Sequence, residues 1–166
     1  MKAAEFASEM LLHCVGGRTL QIARVVSARF DHELAEHGLT AQQLTLLSMV
    51  CVLQPVRPRD MLPFLKMEQS TLSRNLERMA AKGWLTLDPS EDDQRTRLVS
   101  LTRAGTEKLS SAQGAWQRAQ DGLAADLGPE RIDQLKDIAQ MFNPLLPSDR
   151  LRGLAALEQS DENTEK

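Results

Sequence analysis

Five polar side chains share one side of a single stretch, Met67 to Trp84 (MEQSTLSRNLERMAAKGW): Ser70, Thr71, Arg74, Arg78 and Lys82. Hydroxyls and cations at that spacing suit hydrogen bonding and charge pairing with a polyanion. The other side of the same stretch carries Leu72, Leu76, Met79, Ala80 and Gly83 at i, i+4, i+7, i+8 and i+11, which is one stripe of an α-helix. Glu77 lies between the two faces. Taken alone, such a stretch fits a surface helix with a solvated charged face; its flanks decide between that and a binding helix.

Other reactive residue types point to no catalysis. No GxSxG, P-loop or HExxH pattern occurs, and no nucleophile stands beside a base, so the expectation is no enzyme and no cofactor. His32 and His37 miss the i, i+4 spacing that brings two imidazoles together, and no metal site is expected. Cys14 and Cys51 form no CxxC pair, which excludes a disulfide framework or zinc knuckle; both are expected as buried, inert thiols.

The elements that position the polar face are helical. Aromatic content is 4% with no Tyr, while Leu and Ala abound, which argues against a β-sandwich. From Met10 to about His37 the pattern is helical, with Val15, Ile22, Val26, Phe30 and Leu34 near one face and a kink or split at Gly16-Gly17. Gly38 serves as a C-cap, and Thr40 caps a helix over 41–53 that offers Leu44, Leu47, Met49 and Val50 to the core. Pro58 suits the first turn of a short helix to Leu65, and a turn at Lys66-Met67-Glu68 leads into the central helix. Two short helices joined tightly, the second polar outside, form a helix-turn-helix.

Beyond Gly83 the period changes. Trp84 to Leu87 and Thr96 to Leu101 read as strands around a charged turn, Asp88 to Arg95, which makes a hairpin and therefore a winged helix. One long helix is expected from about Arg103 to Asp126, with Leu109, Trp116, Ala119 and Leu123 at helical spacing, and another from Pro129 to Phe142 or Leu146. A short helix over 148–158 and a polar, disordered end complete the chain. The terminal helices exceed what a small winged-helix core needs, so their spare apolar faces should pack on a second copy.

Charge is modestly uneven. Residues 57–103 hold nine Lys/Arg against seven Asp/Glu, inside a chain of net charge −3, so nucleic-acid binding must rest on local charge. No basic segment followed by an apolar run opens the chain, and no run of about 18 apolar residues could span a bilayer. The expectation is a cytoplasmic, nucleoid-associated protein without a membrane partner.

The runs STLSRNLERMAAKGW and DDQRTRLVSLTRAG resemble the MarR family of bacterial transcriptional regulators. The matching signatures are Lys82-Gly83 at the helix end, Asp93-Gln94-Arg95 in the wing, and Val99-Ser100-Leu101-Thr102-Arg103-Ala104-Gly105 after it. The likeness spans about residues 10–145; Lys66, where the family often has Gly, and Glu68, where it often has Ser, depart from it. It implies a mainly α (α+β) single domain over 1–166. Within it, 10–37 and 103–146 are dimerisation helices, 40–102 is the winged helix-turn-helix lobe, and 148–166 is a tail. It implies a ligand-responsive homodimeric repressor on a palindromic double-stranded operator. The DNA-reading residues would be Ser70, Thr71, Ser73, Arg74, Arg78, Lys82, Asp93, Arg95 and Arg97, with Arg74 at a base, Arg78 and Lys82 at phosphates, and Arg95 in the minor groove oriented by Asp93. It also implies a small aromatic or phenolic effector between dimer helices and lobe, with His13, Arg18, Met49, Cys51 and Trp116 as candidates by placement. Two alternatives stay open: a helical interaction or scaffold protein of winged-helix shape, and a regulator that senses oxidants through cysteine.

Overall fold

Local rules set the boundaries of the reading lobe. In the computed structural model, which describes residues 2–90 and 96–142, Thr40 caps helix α3 (Ala41–Leu53). Its hydroxyl accepts the Gln43 amide at 3.2 Å while the Gln43 side chain accepts the Thr40 amide at 3.2 Å, a reciprocal capping box. Asp31 accepts the Ala41 amide at 2.6 Å and so satisfies another orphan donor of that helix end. Helix α4 (Pro58–Leu65) starts on Pro58, where no amide donor is needed. It ends at Lys66, whose φ of 50° is left-handed. Helix α5 (Gln69–Ala81) is the central stretch. Its end is a Schellman cap: the Trp84 amide bonds Met79 O at 3.0 Å and the Gly83 amide bonds Ala80 O at 2.8 Å, with Gly83 at φ 76°.

Strands β1 (Leu85–Pro89) and β2 (Arg97–Leu101) pair antiparallel, Leu85 opposite Leu101 and Pro89 opposite Arg97. Val56, between α3 and α4, bridges Val99 on the free edge of β2 through two backbone hydrogen bonds of 3.1 and 2.9 Å. The Gln54 side chain accepts the Leu101 amide at 2.7 Å just beyond. The hairpin is thereby fastened to the end of α3. Leu46, Leu47, Val50, Met61, Leu72, Leu76, Met79 and Val99 are all buried in one core beneath it.

The remaining helices are α1 (Ala3–His13), α2 (Val15–Leu34), α6 (Arg103–Ser111), α7 (Gln113–Leu127) and α8 (Pro129–Phe142), with a single 3-10 turn over Ala35–His37. The mainly α architecture with one small sheet agrees with the sequence reading, and the corrections concern the terminal helices and the two cysteines. Helix α1 already begins at Ala3, and the break from α2 falls at Cys14, not at Gly16-Gly17. Cys14 is extended (ψ 112°) and its sulfur receives the Gly17 amide at 3.5 Å, so it caps α2 and leaves both glycines in the first turn. Cys14 is therefore exposed rather than buried, and Cys51 is half-buried.

The long helix expected over 103–126 is two helices, broken at Ala112, which is fully buried. Ser111 spends its hydroxyl on Lys108 O at 2.8 Å, a local bond that competes with the helix ladder, and Gly114 follows. The stripe Val15–Ile22–Val26–Phe30–Leu34 is buried only at its C-terminal end. Val15 is 78% exposed, and Leu11, Leu12, Leu20, Val25, Ile138, Met141 and Phe142 are open too. The expected short helix at 148–158, the tail to 166, and the wing tip with Glu91, Asp92, Asp93 and Arg95 lie outside the described residues.

Candidate nucleic-acid interface

Burial divides α5 along the two faces read from its spacing. Leu72, Leu76 and Met79 are buried, Ala80 is half-buried, and Ser70, Arg74, Arg78 and Lys82 are exposed, with Thr71 and Ser73 half-buried at the boundary. The oily side fixes the helix on the core and so fixes the direction in which the polar side points.

Each polar side chain has its own local setting. Arg74 lies back along the helix, its Nε donating to Ser70 O at 3.1 Å. Asn75 donates to Thr71 O at 2.9 Å. Arg78 has no hydrogen-bond or ionic partner among the described residues. Lys82 sits 4.4 Å above the Trp84 ring, and Lys108 reaches the same ring at 5.5 Å, so one indole carries two ammonium groups. Arg97 stretches across the hairpin to Leu87 O at 3.3 Å.

What unites these cations is the lack of a carboxylate. Among the described residues, Arg74, Arg78, Lys82 and Arg97 make no ion pair, whereas Arg57 pairs with Asp60 at 2.7 Å and Arg103 with Glu107 at 2.8 Å. Arg18, Arg24, Lys66 and Lys108 are likewise without an ion pair among the described residues, but on α5 and the wing four such cations stand close together, the arrangement an anionic partner requires. Glu68 opposes it at the α5 N-cap, where its side chain makes no capping bond.

A joint links this lobe to the terminal helices. The Thr102 hydroxyl accepts the Gly105 amide at 3.0 Å and donates to Gly83 O at 2.6 Å, while the Thr102 amide bonds Trp84 O at 3.0 Å. The start of α6 is thus tied to the end of α5. Gly105 is buried against the Trp84 carbonyl, where any Cβ would overlap backbone. The Leu-Thr-x-x-Gly run seen in the sequence is therefore a joint, and its glycine is a space requirement.

Farther along, Lys108 Nζ donates to His37 O at 3.1 Å, and Arg118 pairs with Glu33 at 2.9 Å and with Glu36. Hydrogen bonds that the Arg118 guanidinium donates to Glu33 and then to Glu36 raise its pKa above the ordinary guanidinium value. The charged form is favoured by folding, so these contacts hold below that value and are lost only in strong alkali.

Between α2, α3, α6 and α7 lies a cavity of about 730 Å³, walled by Phe30, Leu44, Met49, Cys51, Leu109 and Trp116 among others. Met49, Cys51 and Trp116 thus fall together as the sequence reading placed them. His13, at the end of α1, and Arg18, which reaches Leu12 O and Gln21 at 3.3 Å each, do not line it. Phe30, Thr45, Ser48 and Gln113 are lining residues that sequence spacing does not single out, because three separate helices must converge before they meet. No group of His, Cys, Asp and Glu among the described residues could hold a metal ion, and no described helix is long and apolar enough to cross a membrane.

Residues 37–96, which hold the helix-turn-helix and the first strand of the wing, match the sequence model of the MarR family. The HTH-type transcriptional regulator YwoH of Bacillus subtilis is 23% identical over 137 residues, covering 82% of this chain and 96% of that protein. Among solved structures, the transcriptional repressor CouR bound to a 23-mer DNA duplex shares the fold at a TM-score of 0.72 and 21% identity, over 80% of this chain and 94% of that one. CouR from Rhodococcus jostii RHA1 bound to p-coumaroyl-CoA shares it at a TM-score of 0.66 and 16% identity, over 81% and 96%. With its capped reading helix followed by a wing, the chain has the fold of these structures, and over residues 37–96 it is similar to the MarR family of transcriptional regulators.

Proposed function

We propose that the protein is a cytoplasmic homodimeric repressor. It reads a palindromic double-stranded operator with α5 and the wing, and a small aromatic or phenolic effector releases it. The observation that carries this reading is the α5 face, whose exposed cations Arg74 and Arg78 lack carboxylate partners among the described residues. Ser70, Thr71, Ser73 and Arg74, near the start of α5, meet base edges or nearby phosphates; Arg78, Lys82 and Arg97 meet phosphates. Arg95, from the wing tip outside the described residues, enters the minor groove with Asp93 orienting it.

The open apolar side chains of α1, α2 and α8 supply the dimer contact, since Leu11, Val25, Ile138 and Phe142 would otherwise stand in water. A two-fold pair then sets two α5 helices one helical turn of DNA apart. The effector occupies the cavity beside α3. Repression follows from steric occlusion of the promoter.

Selection of bound sites from random DNA tests the reading. The expected product is an inverted repeat with half-sites about 10 base pairs apart, bound in a salt-sensitive manner. Arg95→Ala and Arg74→Ala should each weaken binding to it strongly while the protein stays dimeric in sedimentation. Recovery of no preferred sequence, or unchanged affinity in both variants, would overturn the reading.

A further inference from the structure

The indole of Trp84 carries the Lys82 ammonium at 4.4 Å and the Lys108 ammonium at 5.5 Å from the ring centre. We infer that Trp84 is a positioning residue for DNA binding: its ring face holds the Lys82 ammonium over the end of α5, in place for a backbone phosphate. The inference rests on the reading above that Lys82 meets a phosphate, and adds what fixes the lysine there.

The platform is rigid. Gly83, at φ 76°, turns the chain at the end of α5, and Trp84 follows it into the core, 8% exposed. The Trp84 amide bonds Met79 O at 3.0 Å, and the Trp84 carbonyl accepts the Thr102 amide at 3.0 Å, so both sides of the residue are fixed to neighbouring elements. Lys82 is opposite in character. It is exposed at the C-cap of α5, and among the described residues its ammonium has no hydrogen-bond or ionic partner.

An ammonium on a flexible four-carbon stem samples many positions in water, and a phosphate contact ends that freedom. The negative face of a buried indole attracts the ammonium and narrows its positions before DNA arrives. An ammonium has three N–H donors, so those turned away from the ring remain for a phosphate. The two cations on the ring also differ in what they are free to do. Lys108 is held by its bond to His37 O at 3.1 Å, which leaves Lys82 as the mobile one. Two positive charges over one ring repel each other, and a phosphate beside Lys82 relieves that repulsion.

An aliphatic residue in place of Trp84 would disturb the core, so the test changes the electrons of the ring with little change in its shape. Full-length protein is made with ordinary tryptophan, or with tryptophan fluorinated on its six-membered ring, which draws electron density from the ring face. Each form is made as the parent and as Lys82→Met. Binding to an unrelated DNA duplex is measured by fluorescence anisotropy over a range of salt. Lys82→Met should weaken binding and lower the salt slope by about 1. Fluorination should weaken binding by the parent about threefold with its slope unchanged, since the charge remains, and should not weaken Lys82→Met further. Trp116 is fluorinated in both proteins, so its contribution cancels, and a merely structural role of Trp84 would move both proteins alike. Without DNA, the ring should shift the Lys82 ε-methylene proton resonance upfield, a signal that Lys82→Met removes.

A fluorination effect that is equal in the two proteins, or that strengthens the parent, would overturn the inference and leave the DNA reading standing. So would a free protein with no upfield Lys82 signal. Unchanged affinity and slope in Lys82→Met would overturn the inference together with the place of Lys82 in the interface. A parent protein that binds no duplex would overturn the whole reading, and the inference with it.

Discussion

Adding one methyl group at Gly105 should loosen the protein, although glycine is a poor helix former and Gly105 lies in the first turn of α6. A Cβ built there overlaps the Trp84 carbonyl oxygen, stands 2.9 Å from Trp84 C and 3.2 Å from a Leu101 methyl. The obstacle is backbone, so no rotamer change relieves it. The Trp84 carbonyl also accepts the Thr102 amide, and Thr102 holds Gly83, so moving one of these groups strains the others. Overpacking of this kind costs about 1–3 kcal/mol, and loosening the Thr102 cap about 1 more. The gain in helix propensity from Gly to Ala offsets about 1 kcal/mol. The net loss for Gly105→Ala is about 2 kcal/mol, or a fall of about 4–8 °C in Tm for a chain of this length.

Gly122→Ala is the matched control. There the new Cβ overlaps Arg29 Nη2 and stands 2.9 Å from Arg29 Cζ, but this is the far end of a 40%-exposed side chain whose pair with Asp126 is 3.5 Å long. The guanidinium can swing away at little cost, so Gly122→Ala should leave Tm unchanged or raise it slightly. Thermal unfolding by circular dichroism at equal protein concentration separates the two. A Gly105→Ala protein melting at or above the parent would refute the close approach of α6 to Trp84, and with it the account of the Leu-Thr-x-x-Gly run as a joint.

Other positions give further expectations. Lys66 occupies a left-handed conformation that glycine adopts freely, so Lys66→Gly should stabilise by up to about 1 kcal/mol; a lower Tm in the same thermal assay would count against that geometry. Arg78→Ala should weaken binding to specific and unrelated DNA alike and reduce the salt slope by about 1, whereas Arg74→Ala should cost about 1–3 kcal/mol and relax preference at one base pair. Fluorescence anisotropy over a range of salt and operator variants distinguishes them. Leu135→Glu with Ile138→Glu buries charge in the proposed dimer contact and should yield monomers by sedimentation equilibrium; a persistent dimer would place the contact elsewhere.

The reading lobe was legible because its rules are local. The Thr40 cap, Pro58 at a helix start, and the stripe from Leu72 to Met79 each involve residues within a few positions of one another, and each stands as expected; the Gln43 half of the capping box is added by the structure. The break at Ala112 was not legible, since a run of good helix formers conceals that Ala112 itself is drawn into the core. Trp116, expected at helical spacing on one long helix and named as a candidate ligand contact, lies on the second of the two helices, 41% exposed on the rim of the cavity. The Arg118 network joins residues more than eighty positions apart, which no periodicity reports. Cys14 was misjudged for a related reason: a thiol in an apolar run looks buried, but in the single chain α1 and the start of α2 present that run to solvent.

The position of the cavity bears on how the effector proposed above would act. Its walls come from α3, which belongs to the reading lobe, and from Phe30 of α2 together with α6 and α7, which belong to the terminal helices. A molecule held there touches both bodies at once, so its affinity depends on their spacing. It moves the equilibrium between spacings only by the difference in its affinity for each. Turning a population from almost all DNA-competent to almost none needs a difference of about 10⁴, or about 5.5 kcal/mol, shared between the two sites of the proposed dimer. That is about a hundredfold per site, within reach of a buried aromatic ring. Linkage makes the effect reciprocal: the factor by which an aromatic probe of the proposed effector class, such as naphthol, weakens operator binding must equal the factor by which operator weakens naphthol binding. Titrating naphthol into the free protein and into its operator complex measures the second factor directly, and anisotropy at saturating naphthol measures the first. Tight naphthol binding that is indifferent to operator would mean that the cavity does not sense the spacing of lobe and terminal helices, whatever it binds.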